Sequence, residues 1–226
     1  MESETIIKLE NVSAVQRKKV VLNGVNLSIG KGEFVYIIGK TGSGKSSLLK
    51  LLYRELTIKS GDASILDFNL SKIKSRQIPA LRKALGIVFQ DFQLLPDRSI
   101  EENLWFVMEA TGWKDKKAMR QQSAEILQQV GLGGIGHKMP HELSGGEQQR
   151  VVIARAMVNS PKVILADEPT GNLDPDSSVE IMNILTQIAQ TGTTVVMATH
   201  DMDIVRKYPS RTLVCKEGIL TEENHE

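Results

Sequence analysis

The chain has 226 residues, 41% of them hydrophobic, and a formal net charge of +1. That is enough apolar material for one sizeable core, and the near-neutral balance gives no support to a general nucleic-acid binder. A single cysteine, Cys215, excludes an internal disulfide framework and a cysteine-only metal site.

No apolar run approaches the roughly 18 residues that cross a bilayer. The start of the chain is acidic and lacks a signal-peptide pattern. The expectation is a soluble, cytoplasmic protein. Residues 6–12 and 20–29 carry β-branched side chains in partial alternation and read as strands. Residues 34–38, Phe-Val-Tyr-Ile-Ile, read as a buried strand. Then comes Gly39-Lys-Thr-Gly-Ser-Gly-Lys45-Ser46, which fits the phosphate-loop pattern G-x-x-x-x-G-K-[ST]. Residues 47–52 follow as an apolar-faced helix.

Each part of that loop has a chemical reason. The glycines let the backbone curl so that N–H groups face phosphate oxygens. Lys45 supplies a charge for the β- and γ-phosphates, and Ser46 a hydroxyl for Mg²⁺. The helix N-terminus adds partial positive charge. The nucleotide-binding residues are therefore Gly39, Lys40, Thr41, Gly42, Ser43, Gly44, Lys45, Ser46 and Ser47.

Residues 61–67 read as another strand. Residues 70–85 hold Lys72, Lys74, Arg76, Arg82 and Lys83 with no acid. Such a run is most often a solvated face, and it also suits docking at an anionic membrane surface. Residues 89–113 hold Phe89, Phe92, Trp105, Phe106 and Trp113, half of the chain's aromatics. Residues 114–130 have helical spacing of apolar positions. Residues 91–160 are read as a helical insertion, too small to bury all five rings.

Leu143-Ser-Gly-Gly-Glu147 opens a helix with the S-x-x-E spacing of a capping box. Capping does not explain Gly145 and Gly146, because glycine costs helix stability. A phosphate approaching the backbone does, so a nucleotide shared between two chains is suggested. Residues 162–167 form an apolar strand ending in Asp167 and Glu168, where an α/β sheet presents ligands. Asp167 suits a water-mediated Mg²⁺ role and Glu168 a general base. A helix over 176–190 and a strand over 193–199 follow. Cys215 lies in an apolar strand pattern and reads as a buried packing thiol. The rhythm argues for a mainly parallel sheet with helices on its faces.

The ordered set Gly39 to Ser46, Gln90, Leu143-Ser-Gly-Gly-Glu147, Val163-Ile-Leu-Ala-Asp-Glu168, Asn172-Leu-Asp174 and His200 resembles the ATP-binding-cassette ATPases over nearly the whole chain. The resemblance implies a P-loop α/β fold of that type, with a mainly parallel core, an antiparallel β region and a helical insertion. It implies one domain over 1–226, with about 1–90 and 161–226 as the core. Gln90 would ligand Mg²⁺ beside Ser46 and Asp167, and couple the site to the insertion. Ser144, Gly145 and Gly146 would bind the γ-phosphate of another subunit's ATP in a homodimer, and Asp174 would lie on the dimer seam. Glu168 and His200 would be catalytic.

Asp167-Glu-Pro-Thr-Gly-Asn-Leu-Asp174 is similar to cassettes serving mechanotransmitting membrane proteins. Residues 88–98 and 195–201 resemble the cell-division members of that group. An integral membrane partner is implied, and part of the cluster Phe92, Leu94, Leu95, Pro96, Trp105 and Phe106 would line a groove for its cytoplasmic helix. Lipoprotein-extraction or macrolide-efflux ATPases are the alternative. A soluble cassette acting on DNA or ribosomes fits less well, since coiled coils, zinc sites and tandem cassettes are not visible in the chain. One departure is plain. Position 16, where the family usually has an aromatic residue that stacks on adenine, is Gln16, and residues 1–32 contain no aromatic.

Overall fold

A computed structural model describes residues 4–222. The acidic first three residues and the last four lie outside them.

The first two strands, β1 (Thr5–Gln16) and β2 (Lys19–Gly30), form an antiparallel hairpin. Its tip turns through Arg17 and Lys18, both with positive φ. Strand β3 (Phe34–Ile38) leads through the phosphate loop into helix α1 (Lys45–Leu52). The next strand, β4 (Thr57–Ile65), begins before the segment 61–67 expected from sequence, and pairs with β1 and the short β5 (Phe68–Asn69). A 3₁₀ turn at Ser75–Gln77 runs into α2 (Ile78–Lys83), with Pro79 in its first turn, and then into β6 (Leu85–Val88).

Three helices follow: α3 (Ile100–Ala110), α4 (Lys116–Gln129) and α5 (Gly145–Met157). Ser99, Asp115 and Ser144 cap them with side-chain oxygens that accept backbone N–H bonds. The chain then alternates β7 (Val163–Asp167), α6 (Pro175–Gln190), β8 (Thr194–Thr199), α7 (Met202–Lys207), β9 (Arg211–Lys216) and β10 (Ile219–Glu222).

The strands form two sheets. The smaller has the order β2-β1-β4-β5 and is antiparallel. The larger has the order β10-β9-β3-β8-β7-β6, parallel except at the β9–β10 edge. The central strands are nearly unbroken apolar runs because helices or the other sheet cover both faces.

Period-two alternation divides their side chains between two cores. Val35, Ile37, Val163, Leu165, Val196 and Ala198 face the core shared with α1 and the smaller sheet. Tyr36, Ile38, Ile164, Ala166, Val195 and Met197 face the core shared with α3 to α6. The phosphate loop hangs from the first core and the helical segment from the second.

The aromatic cluster follows the expectation in part. Only Phe106 among the five rings is substantially exposed, at 46%. Phe92, Leu94 and Trp105 pack against the second core and are not among the lining of the groove at α2, β6 and α3. Trp105 Nε1 also donates to Ser123 Oγ. The groove that does exist lies between α2, β6 and α3, lined by Phe89, Leu95, Phe106 and Val107 with Arg82 and Lys83 on its rim.

Candidate active site

The site grows from the C-terminal ends of β3, β7 and β8, which lie side by side in the larger sheet. Parallel strands end together, so the loops after Ile38, Asp167 and Thr199 meet. At the first of these, Gly39 has φ 149° and a Cβ there would sit 2.2 Å from the Cys215 carbonyl oxygen. No other residue type fits that approach. Gly44, φ 117°, ends the loop and begins α1 without any side-chain cap. The other helices of the active-site sheet and of the helical segment, α3 to α7, all carry one. The uncapped first turn leaves N–H donors available to an anion.

Cys215 supports the loop from below. Its thiol donates to the Ser43 carbonyl at 3.2 Å, and burial pushes its pKa up, so it is an inert packing group. The Ser43 hydroxyl oxygen is buried with no partner among the described residues. An orphaned hydroxyl, an uncapped helix end and a buried lysine form a donor set suited to phosphate oxygens.

Lys45 is only 5% exposed. Its ammonium donates to the Gly39 carbonyl at 2.8 Å and lies 3.3 Å from Glu168 Oε1. Ser46 Oγ donates to Asp167 Oδ1 at 2.9 Å. Burial raises the Asp167 pKa, and the Ser46 hydrogen bond works against that shift. Paired hard oxygens, one of them a desolvated carboxylate, suit a small divalent cation.

Glu168 is 8% exposed, and its backbone takes the left-handed conformation, φ 49°. A non-glycine residue there costs of order 1–3 kcal/mol unless its surroundings hold it. Here its N–H donates to the Ala198 carbonyl at 2.9 Å, and Pro169 follows. The result aims the carboxylate between two partners. Oε1 faces Lys45, and Oε2 is 2.7 Å from His200 Nδ1. The His200 N–H donates to the same oxygen at 3.3 Å. Gln90 is exposed and lies beside this turn, with its Nε2 3.6 Å from where a Gly171 Cβ would sit.

Lys45, Ser46, Asp167, Glu168 and His200 are thus gathered in one place, with Gln90 at its border. Ser144, Gly145, Gly146 and Asp174 form a separate group. Ser144 and Glu147 make a reciprocal capping box, with Ser144 N–H donating to the Glu147 carboxylate at 2.8 Å and Glu147 N–H to Ser144 Oγ at 3.3 Å. A Cβ on Gly146 would lie 2.5 Å from Ser177 Oγ, and one on Gly145 would meet Leu173 and Phe92. Asp174 accepts from Ser177 N–H at 2.9 Å and Ser177 Oγ at 2.6 Å, capping α6. Its capping role was legible from Asp-Pro before a helix, but sequence reading assigned it only to a subunit seam.

Two features had no sequence signal: the Lys45–Glu168 ion pair and the left-handed Glu168 backbone. At the hairpin tip Val15 pairs with Val20, which is 47% exposed, so aliphatic groups stand near where the missing aromatic would be.

Comparison with known proteins gives a consistent picture. The family profile described as "ABC transporter" matches residues 22–171. The cell division ATP-binding protein FtsE of Streptococcus pneumoniae is 49% identical over 89% of this chain and 87% of its own. The FtsE of Mycobacterium tuberculosis is 46% identical over 96% and 95%. An ATP-binding cassette solved as a dimer, in a post-hydrolysis state with ADP and Pi, superposes with a TM-score of 0.85 at 34% identity, covering 97% of this chain and 98% of that one.

Proposed function

The chain belongs to the ABC transporter family, and we propose that it is the ATP-hydrolysing subunit of an FtsE-like assembly, acting in cell division through an integral membrane protein of the FtsX type. No helix among the described residues is long and apolar enough to cross a membrane, so a membrane partner carries that part. The subunit works at the inner face of the cell membrane. The observation that carries the catalytic reading is the chain Lys45–Glu168–His200, with Lys45 and Glu168 buried and His200 open to solvent.

The reaction follows from that chain. The loop N–H groups, Ser43 and Lys45 hold the triphosphate. Lys45 exchanges Glu168 for phosphate oxygens, which frees the carboxylate. Glu168 then takes a proton from a water as its oxygen attacks the γ-phosphorus, and the bond to the β–γ bridging oxygen breaks, releasing ADP and phosphate. His200 holds Glu168 in position and donates to the γ-phosphate. Ser46 and Asp167, with Gln90, would hold Mg²⁺, which supplies charge neutralisation at the β- and γ-phosphates.

Ser144, Gly145 and Gly146 lie outside this group, and no phosphate-loop residue is among the neighbours of the two glycines. They serve the nucleotide of a second copy, with Asp174 at the seam, in a two-fold homodimer formed on ATP. Residues 91–160 act as a helical subdomain. The groove at Leu95 and Phe106 receives a short apolar helix of the membrane partner. Leu95→Glu is expected to abolish capture of that partner while basal ATP hydrolysis persists. Loss of the fold would place Leu95 in the core instead.

The test of the catalytic reading is Glu168→Gln. ATP binding should persist, hydrolysis should fall by roughly 10²–10⁴, and light scattering should show a stable ATP-dependent dimer. Wild-type turnover would overturn the assignment. Retained binding without any mass increase would overturn the trans role of Ser144.

A further inference from the structure

The basic segment at residues 70–85 is not absorbed by the active site. Lys72, Lys74 and Arg76 are all exposed, and none forms an ion pair among the described residues. Some cations elsewhere are matched, as in Lys8–Glu10, Lys50–Glu55 and Arg206–Asp203, whereas residues 70–85 contain no acid to match these three. Two more cations continue the patch through α2. Arg82 donates to the carbonyls of Tyr53 and Arg54, and Lys83 to that of Thr111. Backbone carbonyls orient these two but leave their positive charge uncompensated.

The patch also has a place in the molecule. The 3₁₀ turn at Ser75–Gln77 leads directly into α2, and α2 ends on the rim of the groove at Arg82 and Lys83. Resting on the reading that this groove receives a helix of a membrane protein, the adjoining turn faces the bilayer side of the assembly. We propose that Lys72, Lys74 and Arg76, continued by Arg82 and Lys83, dock against anionic phospholipid headgroups.

Charge and exposure favour a lipid surface over a folded protein. The side chains at 72, 74 and 76 are held by no side-chain acceptor, so they do not form a shaped recognition site. A diffuse field of headgroup phosphates needs only unpaired cations near it. Ile73 packs into the first core and fixes the turn. Clusters of four to eight basic residues at a membrane face behave in this way, each cation strengthening binding by a factor of roughly five.

The experiment uses the full chain without any membrane partner. Vesicles of phosphatidylcholine alone, or with increasing phosphatidylglycerol, are sedimented with protein at low and high salt. Binding should appear only with phosphatidylglycerol and disappear at high salt. The triple variant K72Q/K74Q/R76Q should lose at least tenfold in partitioning, with melting temperature and basal ATP hydrolysis unchanged. The triple variant K114Q/K116Q/K117Q changes net charge equally at another exposed site and should bind as wild type does.

No binding of wild type to anionic vesicles overturns the proposal. Equal loss in both variants reduces it to bulk charge and overturns it too. If vesicles are ignored but K72Q/K74Q/R76Q loses the membrane partner, the surface recognises an acidic protein segment and the lipid assignment is wrong. Leu95→Glu separates this inference from the groove reading. It should retain vesicle binding whatever it does to partner capture.

Discussion

Helices α1 and α5 both open on glycine-rich turns, and their first turns are finished in opposite ways. Helix α1 starts at a left-handed Gly44 with no side-chain cap, against a buried lysine and an unpartnered Ser43 hydroxyl. Helix α5 starts at Ser144, whose hydroxyl accepts from Glu147 N–H while the Glu147 carboxylate accepts from Ser144 N–H, so two of its end donors are satisfied locally. The first end is completed only by a ligand. The second is half completed by its own capping box, which leaves the Gly145 and Gly146 N–H groups open to an outside acceptor. A helix N-terminus is therefore not one kind of site. Its ligand affinity depends on what its own residues already do to its N–H groups.

The largest expected effect breaks the α1 side. Gly39→Ala forces a Cβ to within 2.2 Å of a backbone oxygen that cannot rotate away. Stability should fall by roughly 3 kcal/mol or more, and nucleotide binding should vanish. Chemical denaturation and equilibrium binding of a fluorescent ATP analogue check both. Binding at wild-type affinity would mean that the loop curls differently.

Ser144→Ala tests the α5 side and should be milder. Loss of the cap is expected to cost about 1 kcal/mol of stability, while ATP binding by the single chain is untouched. ATP-driven dimerisation, read by light scattering, should weaken. A loss of nucleotide affinity in the monomer would erase the distinction between the two helix ends.

The smallest effect is the pH dependence contributed by the α5 capping box. Hydrogen bonding from the Ser144 backbone holds the Glu147 carboxyl below its usual range. A depressed folded-state pKa contributes stability above the unfolded value and loses it as pH falls through the folded one. Glu147→Gln should therefore flatten the acid limb of the stability curve slightly, measured as melting temperature against pH. No change in the curve would show that the box is not formed in solution.

The parts of this architecture legible in the sequence share one property: their signal is local. Residues 34–38, 163–167 and 194–199 are strands because both faces are covered, which makes them continuous apolar runs. The capping box at Ser144 is likewise written in four adjacent residues. Strand β6 has four residues with Gly86 among them, and α7 has six, so neither has enough length for a period to emerge. The Lys45–Glu168 pair depends on α1 lying over the end of β7, a tertiary fact with no trace in spacing. The aromatic segment 89–113 was read correctly as not wholly buried. Which rings face the groove depended on packing against α4 and α5, and Trp105 went to the core.

The alternation of side chains along the larger sheet makes that sheet a partition. Val195 and Val196 are consecutive, yet one belongs to the helical core and the other to the phosphate-loop core. Substitutions of the two side chains therefore act on different cores and couple only through the strand backbone they share. The two halves can accordingly accumulate substitutions against different packing partners, the helical half changing on one face of the sheet while the turn at Gly39–Ser46 keeps its support on the other.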